Sequence, residues 1–123
     1  MTNKDTNTIN IFKAAWNNDL EAIKTYINND GDVNARCKWD RTPLMFAHNP
    51  EIAQLLIDAG ADINAKNTFG HTSLMLAYNL EIAQLLLNAG ANINAKDKLN
   101  RTPLMLENNP EIIQLLKSHG AVA

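Results

Sequence analysis

The chain has 123 residues, 46% of them hydrophobic and 20% charged, with a formal net charge of −2 at pH 7. A chain of that size and apolar content forms one domain with a core of its own, and its slight acidity gives no overall attraction to nucleic acid or anionic lipid. Met1 to Asn10 is polar without an apolar run, which argues against a secretory leader or a membrane span, and the lone Cys37 has no cysteine to pair with, so the expectation is a cytoplasmic protein.

After the polar tail of residues 1–10, Phe12, Ala14, Ala15 and Trp16 make a first helix. Leu20-Glu21-Ala22-Ile23 starts a second beyond the joint Asn17-Asn18-Asp19. A polar segment, Asp32-Val33-Asn34-Ala35, leads to Asp40, a residue type that tolerates positive φ at a tight turn. Thr42-Pro43-Leu44-Met45-Phe46-Ala47 then has a capping hydroxyl followed by proline, with room for about two helical turns before the chain restarts at Asn49. So short a helix is marginal alone and must be held by packing. At Asn49-Pro50-Glu51 a capping asparagine, a proline at the first helical position and an acid near the positive helix end coincide. The long helix that follows stops at Gly60, where glycine can take the left-handed conformation.

The same series then recurs. Thr42-Pro43-Leu44-Met45 returns as Thr72-Ser73-Leu74-Met75 and as Thr102-Pro103-Leu104-Met105, thirty residues apart each time, and Gly60, Gly90 and Gly120 keep the step. Thirty residues make one supersecondary unit that cannot bury its own apolar face, so such units must stack. The chain is predicted to be an all-α repeat solenoid of four helix-turn-helix units, about 11–31, 32–61, 62–91 and 92–123. Two-armed hairpins project from it at Asp32-Val33-Asn34-Ala35, Asp62-Ile63-Asn64-Ala65 and Asn92-Ile93-Asn94-Ala95, with Asp40, Gly70 and Asn100 at the turns. Leu44, Leu74 and Leu104, with Met45, Met75 and Met105, are the expected packing columns. Thr25 replaces Leu55, Leu85 and Leu115 at one end; Glu107 replaces Ala47 and Ala77, and Lys117 replaces Ile57 and Leu87, at the other. These broken columns read as caps of a complete four-unit protein.

The Thr-Pro-Leu start, the Glu-Ile-x-x-Leu-Leu helix and the Ala-Gly-Ala-Asp-Ile-Asn-Ala run of residues 59–65 resemble the ankyrin repeat, over roughly Ile11 to Ala121. The resemblance implies a stack of helix pairs, a protein-interaction role and no cofactor. The family period is about 33 residues, so the shorter step predicts a clipped first helix with a tighter joint. The family's histidine after Thr-Pro-Leu is methionine in every unit here, so its usual buried hydrogen bonds are replaced or absent. Asn34, Asn64 and Asn94 stand where some ankyrin proteins are hydroxylated, although bracing of the hairpin by side-chain to backbone bonds is the plainer role.

Positions that vary between copies are free to contact a ligand. Arg36, Lys38, Trp39 and Arg41 align with Lys66, Phe69 and His71 and with Lys96, Lys98, Leu99 and Arg101. Over residues 36–41, 66–71 and 96–101 there are seven Lys or Arg and two Asp, a balance of +5 that leaves −7 for the rest. The basic column is either a solvated face or a site for an acidic partner. Trp39, Phe69 and Leu99 are either exposed binding anchors or staples between neighbouring hairpins. Phe46 and Leu76, with Leu106, His48 and Tyr78, are expected to face an inner groove, core packing being the alternative for the three at the short helices. The predicted function is a non-catalytic, monomeric scaffold that binds another protein through tips and groove. The alternative is nucleic-acid binding by the tips, with bases stacking on Trp39 and Phe69, which the −7 remainder opposes. No histidine forms a metal-ligand spacing with Cys37, and no third group or oxyanion site accompanies a Cys37 and His71 pair, so neither a metal nor a catalytic residue is predicted.

Overall fold

The computed structural model describes residues 9–122; the first eight residues of the polar tail, and Ala123, lie outside the described residues. Among the described residues seven α-helices follow one another: α1 (Ile11–Trp16), α2 (Leu20–Asn28), α3 (Pro43–Phe46), α4 (Pro50–Asp58), α5 (Leu80–Asn88), α6 (Pro103–Leu106) and α7 (Pro110–Ser118). Each long helix starts where an Asn or Asp side chain accepts backbone N–H groups. Asp19 takes that of Ala22, Asn49 those of Glu51 and Ile52, Asn79 that of Ile82 and Asn109 that of Glu111. Gly60, Gly90 and Gly120 end α4, α5 and α7 at φ of 101°, 100° and 88°, and in α4 the N–H groups of Gly60 and Ala61 close on the carbonyls of Ile57 and Leu56.

The long helices pack in chain order, α2 on α4, α4 on α5 and α5 on α7. Ile52, Ala53 and Leu56 of α4 meet their counterparts Ile82, Ala83 and Leu86 of α5 in one continuous core that also includes Ile112 and Leu116. At the first turn of this row Tyr26 stands in place of Leu56, and Gly31 in place of Ala61. A methyl at Gly31 would lie 2.5 Å from the Tyr26 ring, so the larger side chain and the missing one go together. The Tyr26 hydroxyl donates to the Asp32 carbonyl at 2.8 Å.

The short helices are clipped further than their spacing suggests. α3 and α6 have four residues each, and residues 73–76 form turns instead of a helix. Ser73 replaces the proline that pre-sets φ at the first helical position of the other two, and the Leu76 N–H divides between the carbonyls of Thr72 at 3.3 Å and Ser73 at 3.1 Å. The segments expected to project as hairpins contain no strand among the described residues. Each loop is closed by one backbone bond of 3.0 Å between its arms, from Cys37 N to Arg41 O, Asn67 N to His71 O and Asp97 N to Arg101 O, and by one turn bond inside it, from Asp40 N to Cys37 O, Gly70 N to Asn67 O and Asn100 N to Asp97 O, too little for a β-ladder.

The leucine column is buried at Leu44 and Leu74, but the methionine column is graded: Met45 is 5% exposed and Met105 50%. Met105 is no core residue because no described helix follows α6 and α7 to cover it. Met45 also takes on polar work, its sulfur accepting the Thr42 N–H at 3.5 Å. The Thr42 hydroxyl is buried with no partner among the described residues. Thr72 and Thr102 cap Met75 and Met105 at 3.4 Å.

Candidate functional site

The tip loops are shaped by a column that the sequence reading passed over, Cys37, Asn67 and Asp97. The Asn67 carboxamide oxygen accepts the N–H groups of Phe69 and His71 at 2.9 and 3.0 Å. One Asp97 oxygen does the same for Leu99 and Arg101 at 2.9 and 2.8 Å. Both loops then turn at a single positive-φ residue, Gly70 at 80° and Asn100 at 63°. A thiol cannot hold two such donors. At the first tip the Cys37 thiol only reaches the Lys38 carbonyl at 3.6 Å, and both Trp39 and Asp40 stand at positive φ, 66° and 61°. A bulky residue is strained there. Arg36 and Arg41 tie this turn instead, donating to the carbonyls of Asp40 at 2.7 Å and Lys38 at 3.0 Å. An Asx residue three positions before the turn residue was the available signal, and it shows only when the three copies are compared.

The tip residues meet one another along the stack. Trp39 and Phe69 have ring centroids 5.6 Å apart at a tilt of 35°, and the carbonyls of Trp39 and Phe69 accept the N–H groups of Thr68 and Lys98 at 2.8 and 3.2 Å. They therefore staple neighbouring loops, yet both rings remain about half-exposed and Leu99 is 72% exposed. The basic column is linked across the thirty-residue step. Arg36 Nη1 donates to the Lys66 carbonyl at 2.9 Å, and Lys66 Nζ to the Lys96 carbonyl at 2.9 Å. Asp97, its side chain buried, receives Arg101 Nε at 2.9 Å and His71 Nε2 at 3.2 Å. Burial would raise the pKa of Asp97, but the Arg101 N–H and guanidinium and the Leu99 N–H outweigh it and hold it down from 3.8 to about 2. Lys38 lies 5.3 Å from its neighbour's Trp39 ring, and among the described residues no carboxylate forms an ion pair with Lys38, Lys96 or Lys98.

Beside the tips lies a groove lined by Phe46, Leu76, Tyr78 and Arg41, together with three residues that the sequence did not place there, Trp16, Met45 and Asn67; its cavity volume is about 580 Å³. Trp16, His48 and Tyr78 pack edge to face, with centroids 5.2 to 5.8 Å apart. His48 belongs to this wall through its ring, and its Nε2 bonds the Trp16 carbonyl at 2.7 Å. Trp16 was legible as the end of α1, but not as a neighbour of residues 32 and 62 positions away. The Arg41 guanidinium lies 4.7 Å over the Phe46 ring.

Asn34, Asn64 and Asn94 brace the row of loops. Asn34 donates to the Gly60 carbonyl at 3.1 Å and accepts the Asp62 N–H at 2.7 Å; Asn64 repeats this with Gly90 and Asn92 at 3.2 and 2.7 Å; Asn94 accepts the Val122 N–H at 3.1 Å. The family model for ankyrin repeats, in three copies, matches residues 11–97. The chain belongs to the ankyrin-repeat family.

Ankyrin repeats are generally non-enzymatic protein–protein interaction modules. In this ankyrin-repeat chain the match agrees with an all-helical repeat fold. A search of the curated proteins finds no match. No helix of the described residues is long and apolar enough to cross a membrane, and no group of three or more His, Cys, Asp or Glu that could hold a metal ion occurs among them.

Proposed function

We propose that the chain is a non-catalytic scaffold of four stacked units, about 11–31, 32–61, 62–91 and 92–123, that grips a partner protein with its projecting loop tips and the adjoining inner-helix groove. The observation that carries this reading is two half-exposed aromatic clusters, Trp39 with Phe69 on the loop tips and Trp16 with Tyr78 in the wall of an apolar groove that also takes Arg41 and Asn67 from the tip loops. Aromatic anchors in a part-buried setting dominate interface energetics, and the staple between Trp39 and Phe69 holds both rings in place before a partner arrives, which lowers the ordering cost of binding. The positive tips favour a partner with an acidic surface. The scaffold acts as a monomer in the cytoplasm, a setting that suits its single, unpaired cysteine.

Affinity capture with the wild type and with the double variant Trp39→Ala, Phe69→Ala tests the reading. The double variant should lose the partner while its circular dichroism stays helical. Undiminished capture by a folded double variant overturns the assignment to the tips.

A further inference from the structure

We propose that the groove pocket receives a bulky apolar side chain of an extended acidic peptide segment, and that Arg41 takes the carboxylate of the residue beside it. This rests on the interaction reading above and names the chemistry of the partner. Three observations converge on it. The pocket, about 580 Å³, has apolar walls from Phe46, Leu76, Trp16 and Tyr78, within the size range of sites that enclose small ligands and side chains. Its polar lining is donor-biased. The Asn67 carboxamide oxygen is already occupied by two backbone N–H groups, whereas its NH₂ makes no hydrogen bond among the described residues, and arginine has no acceptor at all. Such a site favours a ligand rich in oxygen acceptors.

The third observation is the state of Arg41. Its Nε donates to the Lys38 carbonyl at 3.0 Å and its Cζ lies 4.7 Å from the centre of the Phe46 ring, so the guanidinium is held before any ligand arrives. No carboxylate among the described residues forms an ion pair with it. A fixed guanidinium whose terminal nitrogens lack a partner is suited to bidentate capture of a carboxylate. Lys38 in the same loop, and Lys96 and Lys98 two loops on, form no ion pair among the described residues, so a segment with several acids gains from the wider field, and one with lysines is repelled.

The test uses three blocked peptides on the full chain: Glu-Asp-Phe-Glu-Asp, its twin with alanine at the centre, and Lys-Lys-Phe-Lys-Lys. Binding is followed by the NMR signal of the Trp16 indole N–H, assigned with a Trp39→Phe variant. The acidic phenylalanine peptide should move that signal and weaken as salt rises, and both twins should bind at least about tenfold more weakly. Arg41→Gln should lower affinity for the acidic peptide by about tenfold, the scale of one charged hydrogen-bonded pair, and Arg41→Lys should recover part of it. No shift with the acidic peptide, equal binding of the lysine twin, or an unchanged affinity in Arg41→Gln each overturns the proposal. So does a single-stranded oligonucleotide that moves the signal where the acidic peptide does not. If Arg41→Gln loses its helical spectrum, the two twins and the salt dependence decide alone. Failure of the peptide alongside loss of the native partner in the Trp39→Ala, Phe69→Ala variant removes the pocket assignment and leaves the interaction reading standing.

Discussion

Asp97 and Cys37 occupy the same place in their loops and behave in opposite ways. The Asp97 carboxylate gathers two backbone N–H groups, Arg101 and His71, and its pKa falls from 3.8 to about 2. A depressed carboxylate adds stability that is complete above the unfolded pKa and disappears as pH falls through the folded one. Acid unfolding followed by circular dichroism should therefore show a loss between pH 3.8 and about 2 that Asp97→Asn abolishes. Asparagine keeps the backbone bonds, as Asn67 does, and has no charge to titrate. At Cys37 the missing acceptor leaves Trp39 at a φ of 66°. Cys37→Asn supplies the acceptor that Asn67 provides in its own loop and should raise stability by about 1 kcal/mol in urea unfolding, the net worth of one well-made hydrogen bond. An unchanged midpoint would mean that Arg36 and Arg41 already hold the turn fully.

At the scale of elements, size is conserved across pairs instead of at single positions. Tyr26 with Gly31 fills the space that Leu56 with Ala61 fills one unit later. Gly31→Ala places a methyl within 2.5 Å of the ring and should destabilise by about 1–3 kcal/mol, the usual penalty of overpacking. Adding Tyr26→Leu should return most of that loss, measured by the same urea midpoints. The short helices give a second case. Their Thr-Pro-Leu signature was legible, and α3 and α6 form where it is intact. The Thr-Ser-Leu copy forms turns, because without proline so few residues lack the preorganisation to nucleate. Replacing Ser73 with proline should convert 73–76 to a helical turn and raise the melting temperature, since Pro43 and Pro103 sit buried in the same place without strain.

Across the whole molecule, stability passes from neighbour to neighbour. A stack of this kind is approximately a sum of unit terms and interface terms, and Asn34, Asn64 and Asn94 are interface terms in hydrogen-bonded form. Asn64→Ala removes the bonds to Gly90 and Asn92 and should cost about 1–2 kcal/mol. Hydrogen exchange should show the faster opening beyond Ala89 first, with α2 protected longest. Uniform loss of protection would mean that the stack unfolds as one cooperative body.

The long helices, the asparagine caps of α4 and α7, the glycine stops and the packing of Leu44 and Leu74 were determined by the sequence alone, because each follows from spacing within a single unit. So was the family. The loss of the short helix at 73–76 and the unpartnered Thr42 hydroxyl were not. Which tip residues touch, how far Met105 lies open and where Trp16 ends up were decided only by the tertiary structure. The thirty-residue step superimposes units in space, and a side chain's partners then come from the adjacent copy instead of from its own. Arg36 reaches the carbonyl of Lys66, and Trp16 meets Tyr78 across two such steps. Local periodicity records the first kind of relation. The second depends on how tightly the units stack, which is set by the fit of pairs such as Tyr26 with Gly31 throughout the core.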